Sequence, residues 1–425
     1  MKRRPLAALL CPFLFAFGQL PAAPLPAGDA AQAGFSTERL ARVHALVQGY
    51  VNEGKCAGAI TLIARDGRIV DVGTYGYRDI AAKLPMERDT LTYIFSLTKV
   101  AIAVTTLSLW EEGRFNLDDP VATYLPEFQH MQAVTGGTPE KPELSAARPI
   151  TIRHLLNHTA GFSYDWNATP AVRPYYQRTD IFNFPTLPAF AQAIAQIPLN
   201  HQPGDAFLYG AGYDVLGYLI EKITGQPLET AMRERVFAPL KMNDTSFVVP
   251  PEKRSRLAKI HQRGKDGHLE IVANPGTLVL PATGERAVFP SGSGGLISTA
   301  DDYARFAQML LNRGELDGAR LLAPKTVALM TADHLKEIKT PTSFMGPGGS
   351  YGLGVGVWSA GNGSDSLGSA GRFGWTGAAT TYCNIDPVEG TVALVFAQHF
   401  PYDEFGLFPR FSTVFYQSLS ASRAR

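Results

Sequence analysis

The strand-forming sequence of this chain lies at its two ends, and that arrangement limits the fold more than any other feature. Near the start, Gly58 to Ala64, then Asp66-Gly67, then Arg68 to Val72 read as a hairpin, since Asp-Gly suits the positive-φ positions of a tight turn. Near the end, Tyr351 to Trp358, Thr380 to Ile385 and Thr391 to Ala397 read as strands, and Phe411 to Leu419 as a last helix. Between them, from about Thr105 to Pro281, helical patches alternate with long Pro-rich connections. Gly136-Gly137-Thr138-Pro139 and Asn167-Ala168-Thr169-Pro170 mark loops there. The two strand-rich ends are therefore expected to share one sheet. The fold class is α/β in the broad sense, and α+β more narrowly: an antiparallel sheet flanked by helices, with a mostly helical domain inserted. The sheet domain is expected from about 34–104 and 286–425, and the insert from about 105–285.

The first residues read as an export signal. Lys2-Arg3-Arg4 is a positive start, and Leu6 to Phe17 is apolar but too short to span a bilayer. Cleavage is expected somewhere from 22 to 33, so residues 1–33 form a signal and short leader, and 34–425 the mature chain. The mature chain is expected in the periplasm or outside the cell, with no stable membrane span. A net charge of +1 without basic runs argues against nucleic acid as a partner. Cys11 leaves with the signal, and Cys56 and Cys383 fall in runs that read as buried strands. Export permits a disulfide, but two buried free thiols are the favoured reading.

The chemistry starts at Ser96-Leu97-Thr98-Lys99, the one Ser-x-x-Lys in the chain. β-prone Leu91 to Phe95 precedes it, and Val100, Ala103, Val104 and Leu107 follow with helical spacing. Ser96 thus opens a buried helix, beside free N–H groups and the positive end of the dipole. Lys99 lies one turn on, and a desolvated lysine amine can take a serine proton. The alternative is an ordinary Ser cap beside a solvated Lys. Tyr209 ends the turn Gln202-Pro203-Gly204-Asp205, just before an apolar helix from Asp214 to Thr224, and a phenol beside a lysine can shuttle a proton. Tyr50 and Tyr382, each with an Asn two residues on, are rivals, one ending the first helix and the other inside a strand. In Gly371 to Ala378 the glycines relieve a strand edge for close approach by substrate, and the Ala378 and Ser96 amides could stabilise an oxyanion.

These residues, in this order, resemble the serine β-lactamase and penicillin-binding-protein superfamily, nearest to the class C-like branch that includes the family VIII carboxylesterases. The resemblance also rests on Gly113-Arg114-Phe115-Asn116-Leu117-Asp118-Asp119-Pro120, on Ile150 to Gly161, and on Gly294 to Tyr303. It implies a β-lactamase/transpeptidase-like fold and an acyl-enzyme on Ser96. Lys99 and Tyr209 would move the proton, and Ser96 and Ala378 would form the oxyanion hole, with no cofactor and no metal. Two departures stand out. Tyr209-Gly210-Ala211 replaces Tyr-x-Asn, and Trp375-Thr376-Gly377 replaces Lys-Thr-Gly, so the cation for a β-lactam carboxylate is missing. Trp375, Thr376 and Gly377 become substrate-binding candidates with an aromatic wall suited to neutral groups. The expected substrate is a small-molecule ester or amide, with carboxylic ester cleavage favoured. A β-lactamase, D-amino-acid peptidase or acyltransferase with the same nucleophile is the alternative, and a non-catalytic peptidoglycan- or peptide-binding member a third.

Several motifs compete. Gly348-Gly349-Ser350-Tyr351-Gly352 fits the Gly-x-Ser-x-Gly elbow, with Asp386 and His399 following in α/β-hydrolase order. That elbow requires strand, Ser, helix, whereas a loop precedes Ser350 and a strand, Tyr351 to Val355, follows it. His154 and His158 are four apart, but Leu155 stands where a zincin has glutamate, so a structural role is expected, with His158 bonding the following turn. Asp118-Asp119-Pro120 reads as a turn. The aromatic stretch Phe162 to Phe190 reads equally as a lid over an acyl pocket or as packing of the insert.

Overall fold

The computed structural model describes residues 24–273, 290–338, 344–359 and 367–423. The expected export signal therefore lies mostly outside the described residues, as does the expected return from insert to sheet near 285.

One eight-stranded sheet organises the chain. Its strands are β1 (Gly58–Arg65), β2 (Arg68–Asp79), β3 (Leu84–Pro85), β4 (Gly349–Tyr351), β5 (Gly356–Trp358), β6 (Arg372–Gly377), β7 (Thr381–Asp386) and β8 (Thr391–Ala397), in the spatial order β4-β5-β6-β7-β8-β1-β2-β3. All neighbours are antiparallel, and β1 pairs with β8 from Ala59↔Ala397 to Arg65↔Thr391, so the two ends of the chain meet at the centre. The β1–β2 turn has positive φ at both Asp66 (51°) and Gly67 (77°), as a two-residue hairpin of this twist requires. Every residue of β1 and of β8 is buried. A central strand covered on both faces needs apolar residues at consecutive positions, which explains the unbroken runs of both segments.

Alternate residues of these strands feed two cores. Ile60, Leu62, Leu394 and Phe396 pack with α2 (Thr98–Glu111), α3 (Gly212–Thr224) and α4 (Ala300–Leu311). Ala59, Ile63, Ala393 and Val395 pack with α1 (Thr37–Asn52) and α5 (Leu407–Tyr416). Ser36 caps α1 by accepting from the Arg39 N–H, and its Leu40, Val43 and Val47 are buried as their spacing requires. Cys56 belongs to the second core and Cys383 to the first, so the sheet lies between two buried free thiols. No helix of the described residues is long and apolar enough to cross a membrane.

Some local expectations change. Tyr351 to Trp358 is two short strands, β4 and β5, that fold back on each other with Tyr351 opposite Gly356. The glycines at 352 and 354 allow that reversal: a Cβ on Gly352 would lie 2.1 Å from the Met330 carbonyl oxygen, and Gly354 has φ +97°. The loop signal at Gly136-Gly137 is instead the end of a strand, Gln132–Gly137, paired with Pro142–Ala146. Between Ile152 and Arg256 the regular elements are helices joined by loops, His261–Arg263 and Leu269–Ile271 pair as short strands, and α3 ends at Gly225 with φ +70°.

Candidate active site

Ser96 sits in a 3-10 turn, Phe95–Leu97, that runs directly into α2. Phe95, wedged edge-on against Phe400 at 5.5 Å, takes φ +44°, a left-handed conformation that is strained for a bulky side chain. From Leu91 to Leu107, Ser96 alone is not buried. Backbone strain and a helix start thus coincide at the one hydroxyl of this stretch that is only half-buried. The helix behind it is apolar all round, so Lys99 is 1 % exposed on a buried helix and not on a solvated face. Its Nζ donates to Ser96 Oγ at 3.2 Å and to the Ser293 carbonyl at 2.6 Å.

Tyr209, buried on the loop before α3, brings its ring centroid within 4.7 Å of Lys99 Nζ. Tyr209, more than a hundred residues on in the chain, therefore joins Ser96 and Lys99 in one cluster. Of the rivals, Tyr50 donates to the Phe405 carbonyl beneath α1, and Tyr382, in β7, stacks on Phe408 of α5 at 5.1 Å. On β6, Trp375 is buried with its ring 4.9 Å from Tyr351 and 5.6 Å from Tyr209. Its Nε1 has no hydrogen-bond partner among the described residues. The Thr376 hydroxyl is 3.0 Å from that of Tyr402. A Cβ on Gly377 would stand 2.2 Å from both the Ile94 carbonyl oxygen and Thr381 Oγ1, so only glycine lets β6 lie this close to the Ser96 turn. Ala378 follows at the strand end, and with Ser96 it lines the same cavity of about 1050 Å³.

That cavity also has Tyr164, Trp166, Phe182, Phe344 and Met345 on its wall. The aromatic stretch of the insert divides accordingly. Tyr164, Trp166 and Phe182 stack in a row over the cavity, whereas Tyr176 and Phe184 pack inward.

Two supporting groups were not singled out for the site from sequence. Asp214, fully buried at the start of α3, accepts from the Ser291 hydroxyl at 2.6 Å and from the amide and hydroxyl of Ser293. Burial raises its carboxyl pKa, while these hydrogen bonds and the Lys99 charge act against the rise. Because Ser293 donates its amide to Asp214 and offers its carbonyl to Lys99, the carboxyl holds the segment that aims the amine. The run Ser291-Gly292-Ser293-Gly294 was the available signal, since a Cβ on Gly292 would lie 2.3 Å from the Tyr213 carbonyl oxygen.

His158 is the second. It does not bond the turn that follows it. Its carbonyl accepts from the Leu208 N–H at 2.8 Å and its Nδ1 from the Gly210 N–H at 3.3 Å, with its ring 4.5 Å from that of Tyr209. It therefore holds the residues on either side of Tyr209. Burial, and secondarily the Lys99 charge, keep its pKa well below the usual histidine value, so Nδ1 stays an acceptor. His158→Phe keeps the ring contact but orphans the Gly210 N–H, and is expected to cost about 1–3 kcal/mol in urea denaturation.

The competing motifs resolve into structure. Ser350 Oγ donates to Asp333 and sits in edge strand β4 with no helix after it. Asp386 accepts from Ser369, Val388, Glu389 and Tyr416, and His399 pairs with Glu404. His154 completes a capping box with Thr151. Asp118 is held by Arg153 at 2.6 and 2.8 Å, and Asp119 caps the Asn116 turn.

Known proteins share this architecture. The Beta-lactamase family model matches residues 43–410. Protein Rv1367c of Mycobacterium tuberculosis is 34% identical over 366 residues, 84% of this chain and 89% of its own. Esterase EstB of Burkholderia gladioli is 33% identical over 280 residues, 62% of this chain and 68% of its own. Among solved structures, EstCE1, described as a hydrolase with promiscuous acyltransferase activity, superposes with a TM-score of 0.76 at 26% identity, covering 92% of this chain and 100% of its own. With a family match over most of its length and esterase neighbours, the chain belongs to the β-lactamase family, in its esterase-like branch, and is a hydrolase.

Proposed function

We propose that the protein cleaves carboxylic esters through an acyl-enzyme on Ser96. The observation that carries this reading is the one hydroxyl left half-buried at the start of a buried helix, in contact with a buried lysine and beside Tyr209. Lys99 Nζ, held by the Ser293 carbonyl and 3.2 Å from Ser96 Oγ, and Tyr209 beside it are the groups that relay the Ser96 proton. Ser96 Oγ then bonds to the ester carbon, and the oxyanion is held by the Ser96 and Ala378 N–H groups. The carbon–alcohol bond breaks as the alcohol oxygen takes that proton back. Water attacks the acyl-enzyme by the same relay, freeing the acid and Ser96.

Esters are favoured over β-lactams because Trp375, an indole, stands where Lys-Thr-Gly would supply a cation, and Ala211 where Tyr-x-Asn would supply an amide. The names of EstB and EstCE1 support an ester substrate, and that of EstCE1 also an acyl transfer to an alcohol in place of water. Lys2-Arg3-Arg4 and the apolar run after it support an exported protein. Intact-protein mass spectrometry after exposure to a panel of short-chain esters and to nitrocefin tests the reading. The expected result is a mass gain equal to the acyl group, mapped to Ser96, with esters and not with nitrocefin. Acylation elsewhere, or only by nitrocefin, would overturn it.

A further inference from the structure

The cavity does not end at Trp375. It runs past Thr376 and Tyr402 to the face of the sheet packed by α5, where Trp358, Arg372, Tyr382, Asn384 and Ser412 line it. That continuation follows from strand alternation. Arg372, Gly374 and Thr376 point to one face of β6, with Tyr382 and Asn384 of β7 opposite Thr376 and Gly374, while Trp375 points to the other face.

Arg372 is 6 % exposed, and its guanidinium lies 5.2 Å over the Trp358 ring. Among the described residues it makes no ion pair. The carboxylates nearby are otherwise engaged. Asp386, fully buried, accepts from the Ser369, Val388 and Glu389 amides and from the Tyr416 hydroxyl. Asp403, which also lines the cavity, accepts from the Leu407 and Phe408 amides at the start of α5. Burying a guanidinium with no counter-charge among the described residues is costly, and the group lines a cavity that continues to Ser96.

We propose that this lobe binds a carboxylate, and that the substrate is an ester carrying one at the far end of a long apolar arm. The proposal rests on the esterase reading of Ser96 and names its substrate class. At about 3.3 Å per residue, Arg372 lies roughly 20 Å along β6 from Ala378, so the arm spans on the order of a dozen bonds. Phe408, Pro409, Tyr402 and Trp358 give the arm its apolar walls. Arg372 supplies a forked donor at the end, which a carboxylate matches and a methyl ester does not. The aromatic wall at Trp375 therefore serves the part of the substrate beside the ester, and the charge is read further away.

The test uses two charged esters, monomethyl dodecanedioate (carboxylate on the acyl arm) and 12-acetoxydodecanoate (carboxylate on the alcohol arm). Each is compared with its uncharged counterpart, the dimethyl diester and methyl 12-acetoxydodecanoate. In the wild type, at least one charged ester is expected to exceed its counterpart in kcat/KM by about tenfold or more, and Arg372→Met to erase that ratio while Arg372→Lys keeps part of it. Equal kcat/KM for charged and uncharged esters in the wild type, or a ratio unmoved by Arg372→Met, overturns the proposal. Calorimetry of 12-acetoxydodecanoate and its methyl ester on Ser96→Ala separates this from the catalytic reading. A charge preference retained there supports the lobe even if no ester is turned over, and absence of hydrolysis in the wild type counts against the esterase reading alone. If Arg372→Met does not fold, the wild-type ratio and Arg372→Lys decide.

Discussion

Replacing Ser96 with alanine is expected to lower kcat/KM for 4-nitrophenyl butyrate by about 10⁴-fold or more, leaving the folded protein intact. In the proposed mechanism this hydroxyl is the nucleophile, and no other group in the cluster can replace the covalent step. The side chain is small and open to the cavity, so its loss leaves neither a void nor an unpaired buried group. The informative control is Ser350→Ala, expected to stay within about twofold of wild type, because Ser350 is committed to Asp333 at the sheet edge. Loss of activity in Ser350→Ala with activity kept in Ser96→Ala would sink the mechanism in favour of an elbow serine.

Tyr209→Phe carries the second largest effect. The ring is fixed by His158 at 4.5 Å, Phe344 at 5.3 Å and Trp375 at 5.6 Å, so phenylalanine fills the same space. Only the hydroxyl goes. If that hydroxyl moves the proton between Ser96 and the leaving alcohol, kcat falls by about 10²–10⁴-fold while KM changes little. Equal falls in kcat/KM with leaving groups of low and high pKa are expected if Tyr209 acts mainly on Ser96. A smaller loss with 4-nitrophenol, which needs no proton to depart, marks Tyr209 as the acid. A kcat within about threefold of wild type for every ester would remove Tyr209 from the mechanism and leave Lys99 as the sole base.

Much of the fold was legible because its signals are local. Asp66-Gly67 dictates a tight turn, Ser36 a helix start, and the unbroken apolar runs of β1 and β8 a doubly covered centre. The Tyr351 to Trp358 segment misled because its composition is strand-like on both sides of two glycines. Only the close pass of Gly352 to Met330 makes it turn. At Gly136-Gly137 the opposite happened: a loop signal yielded to pairing with Pro142–Ala146.

For the site, the sequence by itself marked Ser96, Lys99 and Tyr209 and the Trp375-Thr376-Gly377 edge, since chemistry of this kind requires particular side chains at particular spacings. Tertiary structure alone decided what holds and what surrounds them. The Asp214–Ser293 contact under Lys99 and the His158 clasp around Tyr209 join residues 79 and 52 positions apart, beyond any local pattern. Arg372, which makes no ion pair among the described residues, was equally invisible. In sequence it is one arginine among many, and only strand alternation and the packing of α5 bury it at the end of the cavity that begins at Ser96. Propensity and motif act over a few residues, whereas burial and charge pairing depend on which distant segments the sheet brings together.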